Sequence, residues 1–312
     1  MPTDLMIHAE DVVKSFGTHT ALDGVTLRVP RGTVLGLLGH NGAGKTTLIN
    51  VLTTVLPPDG GTASVAGFDV VAEGAQVRSS IGLTGQYTLV DEDLTGRQNL
   101  VMIARLLGLS SRDARRHAAE LLESFGLVDA ADRKAGKFSG GMKRRLDLAV
   151  SLVGRPHVVF LDEPTTGLDP TSRIALWETV ERLTREEGTT VLLTTQYMEE
   201  ADRLADAITV LSHGRVVASG TAGELKAGLG RRTVTITPSD PALASEVLSR
   251  NGFEVGRELD AVHVPVSATR EVAVVVRLLT DADVDLAALT VTEPSLDDVY
   301  LALAAQPRGV LQ

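Results

Sequence analysis

The stretch GHNGAGKTT, from Gly39 to Thr47, constrains the fold of this chain more than any other feature. It matches the pattern G-x-x-x-x-G-K-[ST] and lies between two apolar segments, VLGLL before it and KTTLINVLTTVL after it. This order predicts a strand, a glycine-rich loop and a helix. Glycines let such a loop fold around a phosphate group with its N–H groups pointing inward, and the helix N-terminus adds favourable partial charge. We therefore expect an α/β nucleotide-binding core with parallel strands.

Two side chains of this loop have a predicted chemical role. Lys45 is expected to reach the β- and γ-phosphates, and the Thr46 hydroxyl is expected to ligate Mg²⁺. The alternative is a glycine-rich turn that caps a helix for stability alone, but the Lys-Thr pair after the final glycine favours the phosphate site. The predicted nucleotide-binding residues of the loop are Gly39, His40, Asn41, Gly42, Ala43, Gly44, Lys45, Thr46 and Thr47.

The segment HVVFLDEP ends in two neighbouring acids, Asp162 and Glu163. Side chains alternate between the faces of a strand, so these two carboxylates should diverge. Asp162 is then expected to hold the Mg²⁺ shell, while Glu163 faces the attacking water as a general base. The alternative is a solvated strand terminus, which explains less well why two repelling acids are adjacent.

The segment FSGGMKRRLDLAVSLVG, from Phe138 to Gly154, predicts a helix that Ser139 caps. Three basic residues, Lys143, Arg144 and Arg145, crowd the first turn, where the helix macrodipole favours acids. Two interpretations stay open. Either an anion docks at this helix end, or the arginines are solvated surface residues.

Composition excludes several classes of protein. The 312 residues, 43% of them hydrophobic, suffice for one large domain and a small one. A net charge of -10 argues against a nucleic-acid partner, and the absence of cysteine excludes disulfides, thiolate metal sites and thiol catalysis. No apolar run reaches the ~20 residues of a membrane helix, and the N-terminus does not resemble a signal peptide. We expect a soluble, cytoplasmic protein.

The order of patterns predicts two domains, residues 1–220 and 232–312, joined by a linker at 221–231. Helical periodicity at about 87–154 indicates a helical insertion in the first domain. The second domain is predicted to be ferredoxin-like, βαββαβ with one further helix. Its predicted strands are 233–237, 253–258, 261–266 and 286–292, and its predicted helices are 241–250, 268–280 and 295–304.

Taken together, these motifs resemble the ATP-binding subunits of ABC transporters. The chain has the order of that family: phosphate loop, glutamine loop at Gln86, signature SGG at Ser139 to Gly141, LDEP, and GLDP at Gly167 to Pro170. The match covers roughly residues 5–220. The resemblance implies a P-loop NTPase (RecA-like) core with a helical signature subdomain, and Mg²⁺-dependent hydrolysis of ATP to ADP.

The resemblance also implies roles for single residues. Phe16 would stack on adenine. Gln86 would contact Mg²⁺ and the attacking water, and would relay the nucleotide state to a membrane partner. Asp169 would lie across a dimer interface. The γ-phosphate of the ATP held by a second, head-to-tail copy of the chain would be bound by Ser139, Gly140 and Gly141.

The chain departs from the family pattern at two positions. Gln196, in TTQYMEEAD, stands where the family usually has a histidine that contacts the γ-phosphate. Its amide can donate to a phosphate oxygen but does not titrate between pH 5 and 8. We predict that Gln196 is a charge-silent contact of the γ-phosphate while Glu163 polarises the water. The predicted catalytic residues are thus Glu163, Gln196, Gln86 and Lys45; the alternative for Gln196 is an ordinary strand-end polar residue. Met142, where glutamine is common, leaves the serine and glycines intact, so we expect ATP binding to persist.

Three segments, FSGGMKRRLDLA, TTQYMEEADRLAD and EPSLDDVYLALA, resemble the daunorubicin/doxorubicin-resistance type of ATPase subunit. That resemblance implies export of drugs, antibiotics or other hydrophobic compounds through a separate integral membrane permease, with this chain peripheral on the cytoplasmic side of the membrane. The stripe Leu296, Val299 and Leu303 is expected to pack on its own sheet. A compatible alternative is that the small domain secures the dimer or regulates the cycle.

Two other functions disagree with features of the sequence, and a third stays open. A DNA-maintenance ATPase of the same family needs long coiled-coil or zinc insertions and a basic surface, which this sequence lacks. A translation-factor-like member has two ATP sites in one chain, and here there is one phosphate loop. The remaining alternative is a subunit that binds ATP as a switch with little turnover. Glu163 argues against it, and Gln196 leaves it open.

Overall fold

The computed structural model describes residues 4–85, 89–228 and 232–304. Contacts divide the chain into two compact units, Met1–Ala222 and Gly223–Gln312. Gln86, predicted to contact Mg²⁺, lies outside the described residues. Each unit is built around its own sheets and its own buried apolar residues.

The first unit alternates strands and helices along most of its length. In chain order its elements are β1 (Leu5–Phe16), β2 (His19–Pro30), β3 (Val34–Leu38), α1 (Lys45–Leu52), β4 (Gly60–Val65), β5 (Phe68–Asp69), α2 (Gly74–Ser80), β6 (Ile81–Thr84), α3 (Gly96–Leu106), α4 (Ser111–Ser124), α5 (Gly140–Ser151), β7 (Val158–Asp162), α6 (Pro170–Arg185), β8 (Thr190–Thr195), α7 (Met198–Leu204), β9 (Ala207–Ser212) and β10 (Arg215–Gly220).

The central sheet of this unit has the strand order β10-β9-β3-β8-β7-β6. All neighbouring strands are parallel except β9 and β10, which form an antiparallel hairpin. Strands β3, β7 and β8 are buried at every position. A parallel strand covered on both faces is expected to be such a continuous apolar run.

Alternate side chains of β7 enter two different cores. Val158 and Phe160 join a cluster with residues of β1, β2 and α1, whereas Val159 and Leu161 join a cluster with residues of α3 to α6. The central sheet therefore separates the helical segment from the antiparallel sheet β2-β1-β4-β5. This arrangement leaves the carboxyl ends of the parallel strands free to carry a site, as in other open α/β sheets.

Helix α1 ends earlier than the apolar pattern predicts. The sequence favours a helix up to the proline pair at 57–58, but α1 stops at Leu52. Thr53 caps it, with both its N–H and its hydroxyl donating to the Ile49 carbonyl oxygen, and Thr54 turns into the left-handed region with φ of 65°. The β-branched threonines thus end the helix before the prolines do.

The second unit contains, in chain order, β11 (Arg232–Pro238), α9 (Pro241–Arg250), β12 (Gly256–Glu258), β13 (Ala261–Val266), α10 (Thr269–Asp281), β14 (Leu286–Thr292) and α11 (Leu296–Ala304). Helix α8 (Ala222–Gly228) precedes these elements, within the segment predicted to be a linker. The sheet order β12-β13-β11-β14, antiparallel throughout, confirms the ferredoxin-like prediction.

Two details of the second unit differ from or complete the prediction. Strand β12 is shorter than expected, because Phe253 packs against the core of the unit before the strand begins. In the stripe of the last helix, Leu296 and Val299 are buried, while the Leu303 side chain lies outside the described residues. Within the described ranges, no helix is both long and apolar enough to span a membrane.

Candidate active site

The loop between β3 and α1 requires glycine at two positions for steric reasons. A Cβ on Gly39 would lie 2.4 Å from the Leu211 carbonyl oxygen, and one on Gly44 would lie 2.6 Å from the Ala21 carbonyl oxygen. Gly44 caps α1 with φ of 110°, a conformation that L-residues rarely adopt. Gly42 also has a positive φ, 82°, and a Cβ there would meet open space. The backbone therefore forms an open cradle at the start of α1, which suits a phosphate group.

Lys45 is the first residue of α1, and its side chain returns to the loop. Its Nζ donates to the carbonyl oxygens of Gly39 at 2.6 Å and His40 at 3.3 Å, and it lies 3.9 Å from Glu163 Oε1. Burial lowers the pKa of the Lys45 ammonium group, while the Glu163 and Asp162 carboxylates oppose that effect. The loop thus holds a cation close to both acids.

Asp162 is the last residue of β7 and is buried. Its Oδ2 accepts a hydrogen bond from Thr46 Oγ1 at 3.2 Å, and its Oδ1 accepts one from Thr194 Oγ1 at 2.5 Å. Two of the three residues predicted to contact Mg²⁺, Thr46 and Asp162, are therefore neighbours, and the third, Gln86, lies outside the described residues. In the described part of the chain no group of three or more His, Cys, Asp or Glu side chains is arranged so that it could hold a metal ion by itself. This donor set fits Mg²⁺, which is usually held by one or two carboxylates, water and substrate phosphates.

Glu163 diverges from Asp162, as predicted, but not through strand alternation. The strand ends at Asp162, and Glu163 has a left-handed backbone with φ of 49°. Its N–H donates to the Thr194 carbonyl oxygen at 3.1 Å and to the Thr194 hydroxyl at 3.0 Å. A non-glycine residue in this region is strained and persists only where neighbouring groups determine the conformation. The Glu163 carboxylate lies 3.9 Å from Lys45 Nζ, and its hydrogen-bond partners differ from those of Asp162.

Gln196 follows the last residue of β8, at the same edge of the sheet. Its Nε2 donates to Glu163 Oε1 at 2.7 Å, and the second oxygen of that carboxylate accepts from Thr166 Oγ1 at 3.4 Å. The structure thus joins Gln196 to the candidate base, a contact that sequence reasoning did not anticipate. Three of the residues predicted to be catalytic, Lys45, Glu163 and Gln196, lie together.

The signature segment forms a second cluster. Ser139 caps α5 by accepting from the Met142 N–H at 3.3 Å, and Asp169 caps α6 by accepting from the N–H and the hydroxyl of Ser172. These bonds lower the pKa of the Asp169 carboxyl. A Cβ on Gly141 would lie 2.1 Å from Ser172 Oγ, so the signature and Asp169 adjoin. Ser139 and Gly140 are exposed.

Within the described residues, no hydrogen bond links Ser139, Gly140, Gly141 or Asp169 to the phosphate-binding loop of the same chain. The candidate site is therefore divided. One cluster lies at the carboxyl edge of the central sheet, and the other lies at the N-termini of α5 and α6.

The basic residues after the signature are partly exposed and have partners within the protein, which neither sequence interpretation included. Lys143 Nζ pairs with Glu92 Oε1 at 2.5 Å, and Arg145 donates to the Phe125 carbonyl oxygen at 3.0 Å. Arg144 donates to main-chain carbonyl groups near the acids. Lys143 and Arg144 are thus paired with acids, whereas the partner of Arg145 is a main-chain carbonyl oxygen. One of these contacts has a sign in the sequence: Arg144 and Asp147 are three residues apart, a spacing that places an ion pair on one face of a helix.

Phe16 lies at the end of the β1–β2 hairpin and is 49% exposed. The Lys14 Nζ lies 5.8 Å from the centre of its ring. Further along the same hairpin, the Ala21 carbonyl group contacts Gly44 of the phosphate-binding loop. An accessible aromatic ring on this hairpin is compatible with the predicted stacking on adenine.

A buried carboxylate near Gln196 was not predicted from the sequence. Glu200, on α7, is fully buried and accepts from Trp177 Nε1 at 3.0 Å. Burial raises the pKa of Glu200, and the hydrogen bond from Trp177 opposes that effect. The charged helix pattern of MEEADRLAD predicts exposure for this residue, and only packing against α6 reverses it.

Comparisons with known proteins agree with this geometry. Residues 22–166 match the family described as ABC transporter. The daunorubicin/doxorubicin resistance ATP-binding protein DrrA of Streptomyces peucetius is 48% identical over 307 residues, which cover 96% of this chain and 93% of that protein. The linearmycin resistance ATP-binding protein LnrL of Bacillus subtilis is 35% identical over 309 residues, which cover 96% of this chain and 99% of that protein.

Solved structures share the fold of the first unit. The ATP-binding subunit of an ABC transporter is similar with a TM-score of 0.65 and 29% identity, over 72% of this chain and 93% of that one. A nucleotide-free ATP-binding cassette from an ABC transporter gives a TM-score of 0.65 and 29% identity, over 76% and 96% of the two chains. With near-complete coverage at 48% identity, this chain is an ATP-binding protein of the ABC transporter family.

Proposed function

We propose that this chain hydrolyses ATP and thereby powers the export of drugs, antibiotics or other hydrophobic compounds through a separate membrane permease. The observation that carries the proposal is the joint placement of Lys45, Thr46, Asp162, Glu163 and Gln196 at one edge of the sheet. Support for export comes from the relatives, which are named for resistance to daunorubicin, doxorubicin and linearmycin. Their similarity extends over both units of the chain.

In this proposal the loop binds the phosphates of ATP. Its N–H groups and the N-terminus of α1 face the anion, and Lys45 leaves the loop carbonyl groups to bind the β- and γ-phosphates. Thr46 and Asp162 would hold Mg²⁺, which when bound neutralises phosphate charge. Thr194 keeps Asp162 oriented by donating to Oδ1. Phe16 would stack on the adenine ring.

Glu163 is the proposed general base. It accepts a proton from the attacking water as the water oxygen bonds to the γ-phosphorus, and the bond between that phosphorus and the β–γ bridging oxygen breaks, which releases ADP and phosphate. Gln196 orients the carboxylate through Oε1, and its amide also lies at the strand end where a γ-phosphate contact is expected. Gln86 is proposed to contact Mg²⁺ and the water.

The signature cluster is proposed to act on a second copy of the chain. Ser139 and Gly140 are exposed and, within the described residues, not bonded to the loop of their own chain. Two copies in a head-to-tail arrangement would bring Ser139, Gly140 and Gly141 of one to the γ-phosphate bound by the other, with Asp169 at the interface. Each dimer would then contain two ATP molecules.

The proposed organisation follows from this function. Residues 1–220 form the ATPase domain, 221–231 are a linker, and 232–312 are an accessory domain. The chain binds the cytoplasmic side of the membrane through its permease. One alternative is favoured by a specific observation: Gln196 stands in place of a histidine, so a subunit that binds ATP as a switch with little turnover has to be tested.

The decisive experiment compares single-turnover ATP hydrolysis by the wild type and by Glu163→Gln, with Mg²⁺ and saturating ATP. We expect the rate to fall on the order of 10²–10³-fold, because a positioned base is lost while the phosphate contacts stay. ATP binding should persist, and the variant should accumulate as a dimer in sedimentation with ATP. Glu199→Gln, an exposed acid on α7, is the matched control. Equal rates in the wild type and Glu163→Gln would refute hydrolysis through Glu163, and equal rates close to zero would favour the switch.

A further inference from the structure

Arg144 on α5 holds the main chain on both sides of Glu163. Its Nε donates to the Pro164 carbonyl oxygen at 2.7 Å, and its Nη2 donates to the Asp162 carbonyl oxygen at 3.4 Å. Its Nη1 donates to the Gly85 carbonyl oxygen at 3.1 Å, at the end of the neighbouring strand β6. One guanidinium group therefore connects α5 with the ends of two parallel strands.

These contacts matter because the backbone of Glu163 is strained. With φ of 49°, this residue needs neighbouring groups that determine its conformation. Thr194 fixes the Glu163 N–H from the β8 side. Arg144 fixes the preceding and following carbonyl groups from the α5 side. Loss of the hydrogen bonds from either side would let the Glu163 carboxylate turn away from Gln196 and Lys45.

Asp147, one turn later on α5, holds Arg144 in place. Its Oδ2 accepts from Arg144 Nη1 at 3.3 Å, and its Oδ1 accepts from the Leu89 N–H at 2.8 Å. The Asp147 side chain is 1% exposed and that of Arg144 is 16% exposed. Burial lowers the pKa of Arg144, while Asp147, Asp162 and Glu200 oppose that effect, so the guanidinium group stays charged. Gly85 and Leu89 border the segment that contains Gln86, and both are bonded to this one helix turn.

We propose that Arg144, held by Asp147, is a positioning residue that keeps Glu163 in its hydrolytic conformation and links that conformation to the helix capped by Ser139. The proposal rests on the proposed role of Glu163 as the base. It needs the planar fork of a guanidinium group, since three separate nitrogens, Nε, Nη1 and Nη2, each donate to a different carbonyl oxygen, whereas lysine has a single nitrogen at one point. Movement of α5 at the signature end would then reach the base through Arg144.

The test uses the full-length chain with Arg144→Lys, which keeps a positive charge beside Asp147. We expect the single-turnover rate to fall about 10-fold or more, because small displacements of a catalytic group are costly. The Kd of the wild type and the variant for a non-hydrolysable ATP analogue should agree within about twofold, as no phosphate contact is changed. Arg182→Lys is the control. Arg182 also donates to a main-chain carbonyl oxygen, that of Ser124, but in the described part of the chain its partners do not include Asp162 or Glu163.

The second arm introduces Arg144→Lys into Glu163→Gln. If Arg144 acts through Glu163, the double variant should hydrolyse ATP no more slowly than Glu163→Gln alone. Losses that multiply, or an ATP affinity that falls as much as the rate, would overturn the positioning role. Those results leave the proposed function intact, because that function fails only if Glu163→Gln alone has the wild-type rate.

Asp147→Asn keeps the proposal testable if Arg144→Lys does not fold. Asparagine can still accept from the Leu89 N–H through its side-chain oxygen, but it removes the charge that orients Arg144. We expect a smaller fall in rate, again with no further effect in the Glu163→Gln background. A wild-type rate in Asp147→Asn would contradict the role of Asp147 in holding Arg144.

Discussion

Replacing Gln196 by alanine removes the amide that donates to Glu163 Oε1 at 2.7 Å. A hydrogen bond to a charged group contributes about 1.5–3 kcal/mol. Gln196 is exposed, so we take the lower end of that range. Because about 1.4 kcal/mol corresponds to a tenfold change in rate, loss of this bond should slow hydrolysis roughly tenfold if the bond orients the base in the transition state.

The assay is single-turnover hydrolysis beside a titration with a non-hydrolysable analogue. The rate should fall while the Kd changes little, because the loop and Lys45 still hold the phosphates. Gln76→Ala, an exposed glutamine on α2, is the control and should match the wild type. Gln196→His adds a second readout, since a histidine would introduce a dependence on pH between 5 and 8 that the amide lacks.

Two outcomes would refute this reasoning. A wild-type rate in Gln196→Ala would mean that the bond to Glu163 is only structural. An equal loss of rate and affinity would mean that the amide contacts the bound nucleotide in the ground state, so that its effect is not on the base.

Two further predictions concern the loop and the buried acid. Gly39→Ala places a Cβ 2.4 Å from the Leu211 carbonyl oxygen and 2.9 Å from the Ala43 Cβ, so nucleotide titration should show lost binding and denaturant unfolding should show a loss of about 1–3 kcal/mol. Gly223→Ala, whose Cβ meets open space, is the control, and equal stability and binding in the two variants would contradict the steric argument. Burial raises the pKa of Glu200, so its contribution to stability is complete below about pH 4 and is lost as pH rises through the raised value. As pH rises above about 4, the Tm of the wild type should therefore fall relative to that of Glu200→Gln, which can still accept from Trp177. A Tm difference that does not change with pH would contradict this sign.

Local pattern determined much of the fold in advance. The predicted bounds of α9, β13 and β14 agree with the structure. The signals that predict them are local: a helical or alternating pattern of apolar residues and, for α9, an aspartate and a proline where the helix begins. The signal for the phosphate-binding loop is also local, because it lies within Gly39 to Thr47. Its glycines lie where the backbone approaches Leu211 and Ala21 too closely for any side chain.

Local pattern misled where a distant partner changes a conformation. Alternation along β7 predicted the divergence of Asp162 and Glu163 but not the left-handed turn that produces it, which depends on Thr194. The three basic residues after the signature also bind acids and carbonyl groups distant in sequence, contacts that the local pattern did not predict. No short-range pattern contains those partners.

The amino-acid sequence by itself determined the elements of this protein, the loop that suits phosphate and the identity of the two acids. Only the tertiary structure decided which groups meet: Thr46 with Asp162 across 116 positions, Arg144 with Gly85 across 59 and Gln196 with Glu163 across 33. The physical reason is that burial periodicity is set by adjacent residues, whereas strand order is set by which apolar faces cover one another. The order β3-β8-β7-β6 brings these side chains to one edge, and no segment of the chain specifies that order alone.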